Sequence, residues 1–324
     1  MKRKIMTAVV ACAIAAVPVL GATSASAKGG EVGGSGSDYF LNDAWTGNAN
    51  RVFSYGRVDD RVYVGDWDGN GTDTLAVRRG AVYHFTNSQG GGAASNVVAY
   101  GRPGDTVLMG DWDGDGRDTP AVRRGNVYHI KNSLGGGAAD EVVVYGRPGD
   151  SVLVGDWNGD GTDSLGVRRG AAYFFRNDLS SGPADTTVVY GRASDAVFVG
   201  DWNGDGRDTP AVRRGSTYYI ADDFSGGQAD RVLTYGRPND TTLVGDWNGN
   251  RTDTLGVRRA PKPPAPAPAP TPAYTPVPAP SGDLDCKDFP NRAAAQATLM
   301  STWPADPHRL DADKDGQACE SYDY

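Results

Sequence analysis

The sequence predicts an all-β fold: a five-bladed β-propeller followed by a small, disulfide-stapled domain. Three observations lead there. The string GDWDGNGTDT at Gly65 recurs in related form at Gly110, Gly155, Gly200 and Gly245, a step of 45 residues each time. Tyr-Gly-Arg recurs with the same step, at Tyr55, Tyr100, Tyr145, Tyr190 and Tyr235. Each unit also holds four short β-branched or aromatic runs bounded by Gly, Asn and Asp, the mark of strands and hairpins.

In the first complete unit the expected strands are 62–66, 74–79, 81–86 and 96–100. An acidic Gly-rich turn joins the first two, Gly80 the next two, and a Gly-rich loop the last two. Four antiparallel strands in about 45 residues make one blade. The array ends are complementary. Residues 38–57 match only the third and fourth strands of a unit, and 241–259 match only the first and second. Together they make a fifth blade, which removes the exposed sheet edges. Five of the seven Trp share one repeat position, at Trp67, Trp112, Trp157, Trp202 and Trp247. A large apolar residue at a strand end is expected to pack between blades.

Ahead of the array, Lys2, Arg3 and Lys4 precede an apolar run at 5–20 and an ASA site at 25–27. This pattern reads as a secretory signal peptide over 1–27. Its removal takes the net charge from −8 to −11, which argues against nucleic-acid binding. Residues 28–37 are expected to be a flexible Gly-rich lead-in. No further apolar stretch has the length of a membrane span.

After the array, 260–280 form a Pro/Ala-rich linker. Residues 281–324 form a small domain with nine acids against four bases and a helix expected at 291–300. Cleavage of the leader removes Cys12. Cys286 and Cys319 then remain, and two cysteines in an exported protein read as one disulfide.

The repeated turn places short oxygen side chains at positions one, three and five. They are Asp66, Asp68 and Asn70; Asp111, Asp113 and Asp115; Asp156, Asn158 and Asp160; Asp201, Asn203 and Asp205; and Asp246, Asn248 and Asn250. Hard oxygen ligands in a tight loop, with Gly at position six, suit Ca2+. These loops resemble the FG-GAP or VCBS repeats of integrin-type propellers over 38–259, which implies calcium between the first two strands of each blade. That family carries Asp at position nine. Here Thr74, Thr119, Ser164, Thr209 and Thr254 stand there, and Asp73, Asp118, Asp163, Asp208 and Asp253 stand at position eight. A hydroxyl at nine is expected to hold the ion directly or through water, and the acid at eight to turn away toward Arg. The fifth loop has Arg251 in place of Gly.

The string DADKDGQACE, with Cys286 and DPHRLD upstream, resembles the Excalibur domain, an extracellular calcium-binding module. The resemblance implies Asp311, Asp313 and Asp315 as side-chain ligands, Gln317 as a carbonyl ligand and Glu320 as a closing carboxylate.

In an up-down blade the acidic turns share one rim with the Gly-rich loops. The Arg-Arg-Gly and Tyr-Gly-Arg turns share the other. Arg57, Arg102, Arg147, Arg192 and Arg237 therefore form a candidate ligand-binding ring for an anionic polymer. Internal pairing of rim arginines with Asp105, Asp150 or the position-eight acids is the competing expectation. No catalytic constellation stands out: His84 and His129 share one strand position, and His308 is alone. The expected protein is a secreted, monomeric, non-enzymatic calcium-binding protein. Its expected partner is a cell-envelope polymer or an extracellular glycan or protein, in association with a Gram-positive cell wall. A glycan or phosphoester hydrolase and a cell-wall spacer are the alternatives. Convergence of acidic or His groups in the central channel would favour the hydrolase.

Overall fold

The computed structural model describes residues 28–260 and 283–324, in two compact units divided between Pro261 and Lys262. The leader reading over 1–27 and nearly all of the linker lie outside the described residues. Among the described residues no helix is long and apolar enough to cross a membrane.

The first unit consists of five four-stranded antiparallel sheets. Its strands begin with β1 (Asp38–Leu41) and β2 (Arg51–Ser54). The first whole blade is β3 (Arg61–Gly65), β4 (Thr74–Arg79), β5 (Val82–Phe85) and β6 (Asn96–Ala99). The second is β7 (Thr106–Gly110), β8 (Thr119–Arg124), β9 (Val127–Ile130) and β10 (Glu141–Val144). The third is β11 (Ser151–Gly155), β12 (Ser164–Arg169), β13 (Ala172–Phe175) and β14 (Thr186–Val189). The fourth is β15 (Ala196–Gly200), β16 (Thr209–Arg214), β17 (Thr217–Ile220) and β18 (Arg231–Thr234). The chain then forms β19 (Thr241–Gly245) and β20 (Thr254–Arg259). The fifth sheet runs β19-β20-β1-β2, with Asp38 opposite Arg259 and Leu41 opposite Gly256. The two half-units therefore complete one blade, as their complementary sequences require.

The burial of each strand follows its place in the blade. The middle strand β4 is buried on both faces, whereas the outer β6 exposes three of its four residues. The first strands of successive blades touch around the axis. The repeat tryptophans fill the space between blades, as expected. Trp67 packs in a tilted arrangement against Phe85 at 4.9 Å between ring centroids, and Trp157 against Phe175 at 4.3 Å. Both clusters include residues of the following blade. Truncating one such Trp to Ala should cost about 3–5 kcal/mol. Four of the five Tyr of Tyr-Gly-Arg tie their blade to the third strand of the next: Tyr55 Oη donates to His84 O and Tyr100 Oη to His129 O, both at 3.1 Å.

The Gly-rich segment 28–37 differs from the flexible lead-in expected from its composition. Its backbone finds partners across three blades: Met109 N donates to Gly29 O at 2.6 Å and Val32 N to Val62 O at 2.8 Å. Val32 is buried, and the Arg258 guanidinium donates to Gly36 O at 2.8 Å. These bonds offset the chain entropy that glycine gives up on ordering.

The second unit is built on α1 (Arg292–Thr302), whose first turn is capped by the Asn291 side chain. Ala294, Ala295 and Leu299 bury one face against Phe289, Leu310 and Ala318. The Cys286–Cys319 disulfide closes this core. So small a domain has little apolar surface to bury, and a cross-link contributes a few kcal/mol.

Candidate metal centre

All five propeller turns and the C-terminal loop adopt one conformation. In the first turn Asp66 Oδ1 accepts N–H groups from Gly69 and Asn70, at 2.9 and 3.2 Å. Its Oδ2 accepts Gly71 N at 2.6 Å, and Asn70 Oδ1 accepts Thr72 N at 2.8 Å. In the C-terminal loop Asp311 Oδ1 accepts Asp315 N at 3.1 Å and Oδ2 accepts Gly316 N at 2.8 Å. Asp315 Oδ1 accepts Gln317 N at 2.8 Å. Positions four and six are left-handed in both, at Gly69 and Gly71 and at Lys314 and Gly316. This winding turns the side chains at one, three and five toward a common centre. In the fifth turn Arg251 takes the same left-handed φ, 67°, and still donates to Asp246 Oδ2 at 2.6 Å.

The fit to calcium is closest where all three groups are carboxylates. In the sets Asp111, Asp113, Asp115 and Asp311, Asp313, Asp315, one oxygen from each residue lies within 4.8 Å of the others. Oxygens across an ion that binds them at ~2.4 Å stand at about that separation. In the third and fourth turns an amide replaces one acid and bonds its neighbour, Asn158 Nδ2 to Asp160 Oδ2 at 2.8 Å and Asn203 Nδ2 to Asp205 Oδ2 at 3.0 Å. In the fifth, Asn248 Nδ2 donates instead to Asp43 O at 3.1 Å. Burial pushes the Asp111 carboxyl up, opposed by the N–H groups of Gly116 and Gly114.

The hydroxyls at position nine do not turn toward the loop centre. They are buried in the strand: Ser164 Oγ donates to Arg176 O at 2.6 Å and Thr209 Oγ1 to Ala221 O at 2.7 Å. The expected hydroxyl ligand is thus corrected at these two turns, because carbonyls just past the third strand of the blade claim the groups.

The acids at position eight give a second correction. They turn to the axis rather than to Arg. Asp118 Oδ2 accepts Asp66 N at 2.7 Å, and Asp118 N donates to Asp66 O at 2.8 Å. The same reciprocal pair joins Asp163 to Asp111, Asp208 to Asp156, Asp253 to Asp201, and Asp73 to Asp246. Gly must precede each loop, since a Cβ on Gly65 would lie 2.5 Å from Asp118 Oδ2. The five carboxylates and the first Asp of each loop line an axial cavity of about 290 Å3, together with Lys28. Burial and mutual repulsion push Asp73 up to about 8, and burial pushes Asp163 up to about 6. Burial acts to lower Lys28, but Asp208 and Asp253 outweigh it and hold its ammonium well above the usual range.

On the opposite rim each second Arg of the Arg-Arg pairs grips the Asp of its adjoining turn. Arg124 Nε and Nη2 stand 2.9 and 2.6 Å from Asp105, and Arg169 stands 2.8 and 2.5 Å from Asp150. Each first Arg crosses to the next blade: Arg78 donates to Asp105 O and Arg102 O at 3.0 and 2.7 Å. Arg57, Arg102, Arg147, Arg192 and Arg237 are exposed, and among the described residues their guanidinium groups have no hydrogen-bond or ion-pair partner.

In the small domain α1 positions the Asp311 loop in ways the spacing of acids does not reveal. Gln296 Nε2 donates to Gly316 O at 2.8 Å, and its Oε1 accepts Ala318 N at 2.7 Å. Asp306 Oδ2 accepts Asp311 N at 3.1 Å, seating the first acid of the loop. Glu320, expected to close the loop, is turned instead to Arg292, 3.1 Å away. Leu284 N donates to His308 Nδ1 at 3.2 Å, a structural role.

Residues 283–320 match the family model of the Excalibur calcium-binding domain. That family binds calcium, which supports Ca2+ as the ion of this domain. Among curated proteins, none matches the chain.

Proposed function

We propose that the chain is an exported calcium-binding protein whose propeller docks an anionic polymer of the cell envelope. In this reading residues 1–27 are a leader cleaved after Ala27, and the FG-GAP-like loops hold calcium to fix the first hairpin of each blade. The observation that carries the binding surface is the division of labour on the Arg rim. The Arg-Arg pairs are consumed by aspartates and carbonyls, while the five Tyr-Gly-Arg guanidiniums stay free and repeat around the ring. Unpaired arginines at a regular spacing suit phosphate or carboxylate groups along a chain. Changing Arg102, Arg147 and Arg192 together to Gln should weaken retention on purified cell walls and flatten its salt dependence. Unchanged, salt-insensitive retention with an intact fold would remove this reading.

The convergence of five carboxylates on the axis favours the hydrolase as a second reading. Each of them accepts a backbone N–H from the preceding loop, which commits one oxygen to holding blades together. That favours a structural role. Turnover of a glycan or phosphoester panel, abolished by Asp163→Asn without loss of fold, would establish the hydrolase instead.

A further inference from the structure

We infer that Lys28 is the axial pin of the propeller, docked as a newly freed amino terminus in the ring of Asp73, Asp118, Asp163, Asp208 and Asp253. The inference rests on the leader reading above. Lys28 Nζ stands 3.6 Å from both Asp208 Oδ2 and Asp253 Oδ2, and its side chain is only a quarter exposed. Among the described residues no other cation lies within ion-pair distance of the ring, and Asp208 Oδ1 is buried with no partner. Five acid side chains thus face one ammonium.

The segment behind Lys28 holds it in place. Gly30 pairs with Leu108 and Val32 with Val62, so two blades gain a partial extra strand at the axis. Gly29 is seated so closely that a Cβ would lie 2.2 Å from Met109 O. The sequence places the cleavage site immediately before Lys28. Hydrolysis of the Ala27–Lys28 peptide bond by a signal-peptidase-class protease consumes one water. It leaves a carboxylate on Ala27 and an ammonium on Lys28. The residue that fills the anionic ring then carries two positive charges instead of one. Leader removal would complete the electrostatics of the fold after export.

The test uses the full chain from Lys28 onward, melted in saturating calcium. Lys28→Met should lower the midpoint by at least about 4 °C, and Lys28→Arg should stay near wild type. Asp208→Asn should cost less in the Lys28→Met background than in wild type, because it relieves an uncompensated charge. An Ala-Ser extension ahead of Lys28, which moves the free amine away, should lower the midpoint partway. Lys28→Met melting within about 1 °C of wild type, or Lys28→Arg failing as badly as Lys28→Met, overturns the pin. A harmless extension overturns the part assigned to the free terminus. The intact mass of the exported protein tests the leader separately: a start other than Lys28 overturns that reading and leaves the Lys28→Met comparison decisive.

Discussion

Asp73 Oδ2 accepts the backbone N–H of Asp246 at 2.8 Å across 173 positions of sequence. In the other four blades the same bond spans only 52 positions. This bond joins the first whole blade to the hybrid one, and so closes a circuit of five identical links around the axis. Each link satisfies a loop donor that would otherwise face the axis without a protein partner.

The closing blade yields the first prediction. Deleting 28–57 removes β1, β2 and the axial strap, and leaves β20 as a bare edge. The truncated protein should aggregate or lose a large part of its thermal midpoint, as light scattering and calorimetry would show. A monomer with unchanged melting would contradict the hybrid sheet.

The links themselves are testable one at a time. Asp163→Ala leaves the Asp111 N–H without its acceptor, at a cost of about 1–3 kcal/mol, or a few degrees in midpoint. Because asparagine keeps an acceptor oxygen for the Asp111 N–H, Asp163→Asn should cost less than the alanine. Equal melting of wild type and alanine variant would show that the link is dispensable.

Calcium should raise the melting temperature and chelator lower it, since an ion held only by the native state stabilises by mass action. Asp111→Ala with Asp113→Ala should reduce the stoichiometry by one, and so should Asp311→Ala with Asp313→Ala. Isothermal titration distinguishes the two losses. Calcium uptake confined to residues 283–324 would leave the propeller turns as ion-free hydrogen-bonded turns.

Arg251 occupies a backbone conformation that glycine adopts without strain, at φ 67°. Arg251→Gly should therefore stabilise the protein by up to about 1 kcal/mol in spite of the entropy glycine adds to the unfolded chain. It should also tighten calcium at the fifth turn by removing a nearby positive charge. A lower midpoint would show that the Arg side chain makes a compensating contact at the axial mouth, which it helps to line.

The Arg rim sets the response to acid. Arg124 and Arg169 hold the carboxyls of Asp105 and Asp150 below the usual carboxylate range. A depressed folded value means that the stabilisation is present above the unfolded value of 3.8 and is lost as pH falls through the folded one. Asp105→Asn should therefore lower the midpoint at pH 7 and have little effect near pH 2. A constant difference across that window would show that the pair contributes through shape rather than charge.

Most of the architecture was legible because it repeats. The complementary half-units, the Trp position and the acidic turns each announce themselves five times, and the Cys286–Cys319 pairing follows from the cysteine count. The axial ring was not legible. Repetition shows that position eight needs an acid, but its partner is a backbone N–H one blade away, which leaves no mark in sequence. Lys28 was hidden for the opposite reason: it occurs once, in a Gly-rich stretch whose composition signals freedom. Gln296, likewise, resembles any polar helix residue until its two bonds to the calcium loop are seen.

The strand from which the chain leaves the propeller has a mechanical consequence. β20 is an interior strand of its sheet, laddered to β19 on one side and β1 on the other. Arg259 at its end is clamped to Asp240, and Arg258 to carbonyls of the strap and of the first turn. Tension applied through the C-terminal tether cannot peel an edge one bond at a time. It must shear two ladders together and tear out both guanidinium clamps. A propeller anchored by that end is therefore loaded along its strongest strand, and it should yield at far higher force there than when pulled from β2, the outer strand of the same sheet.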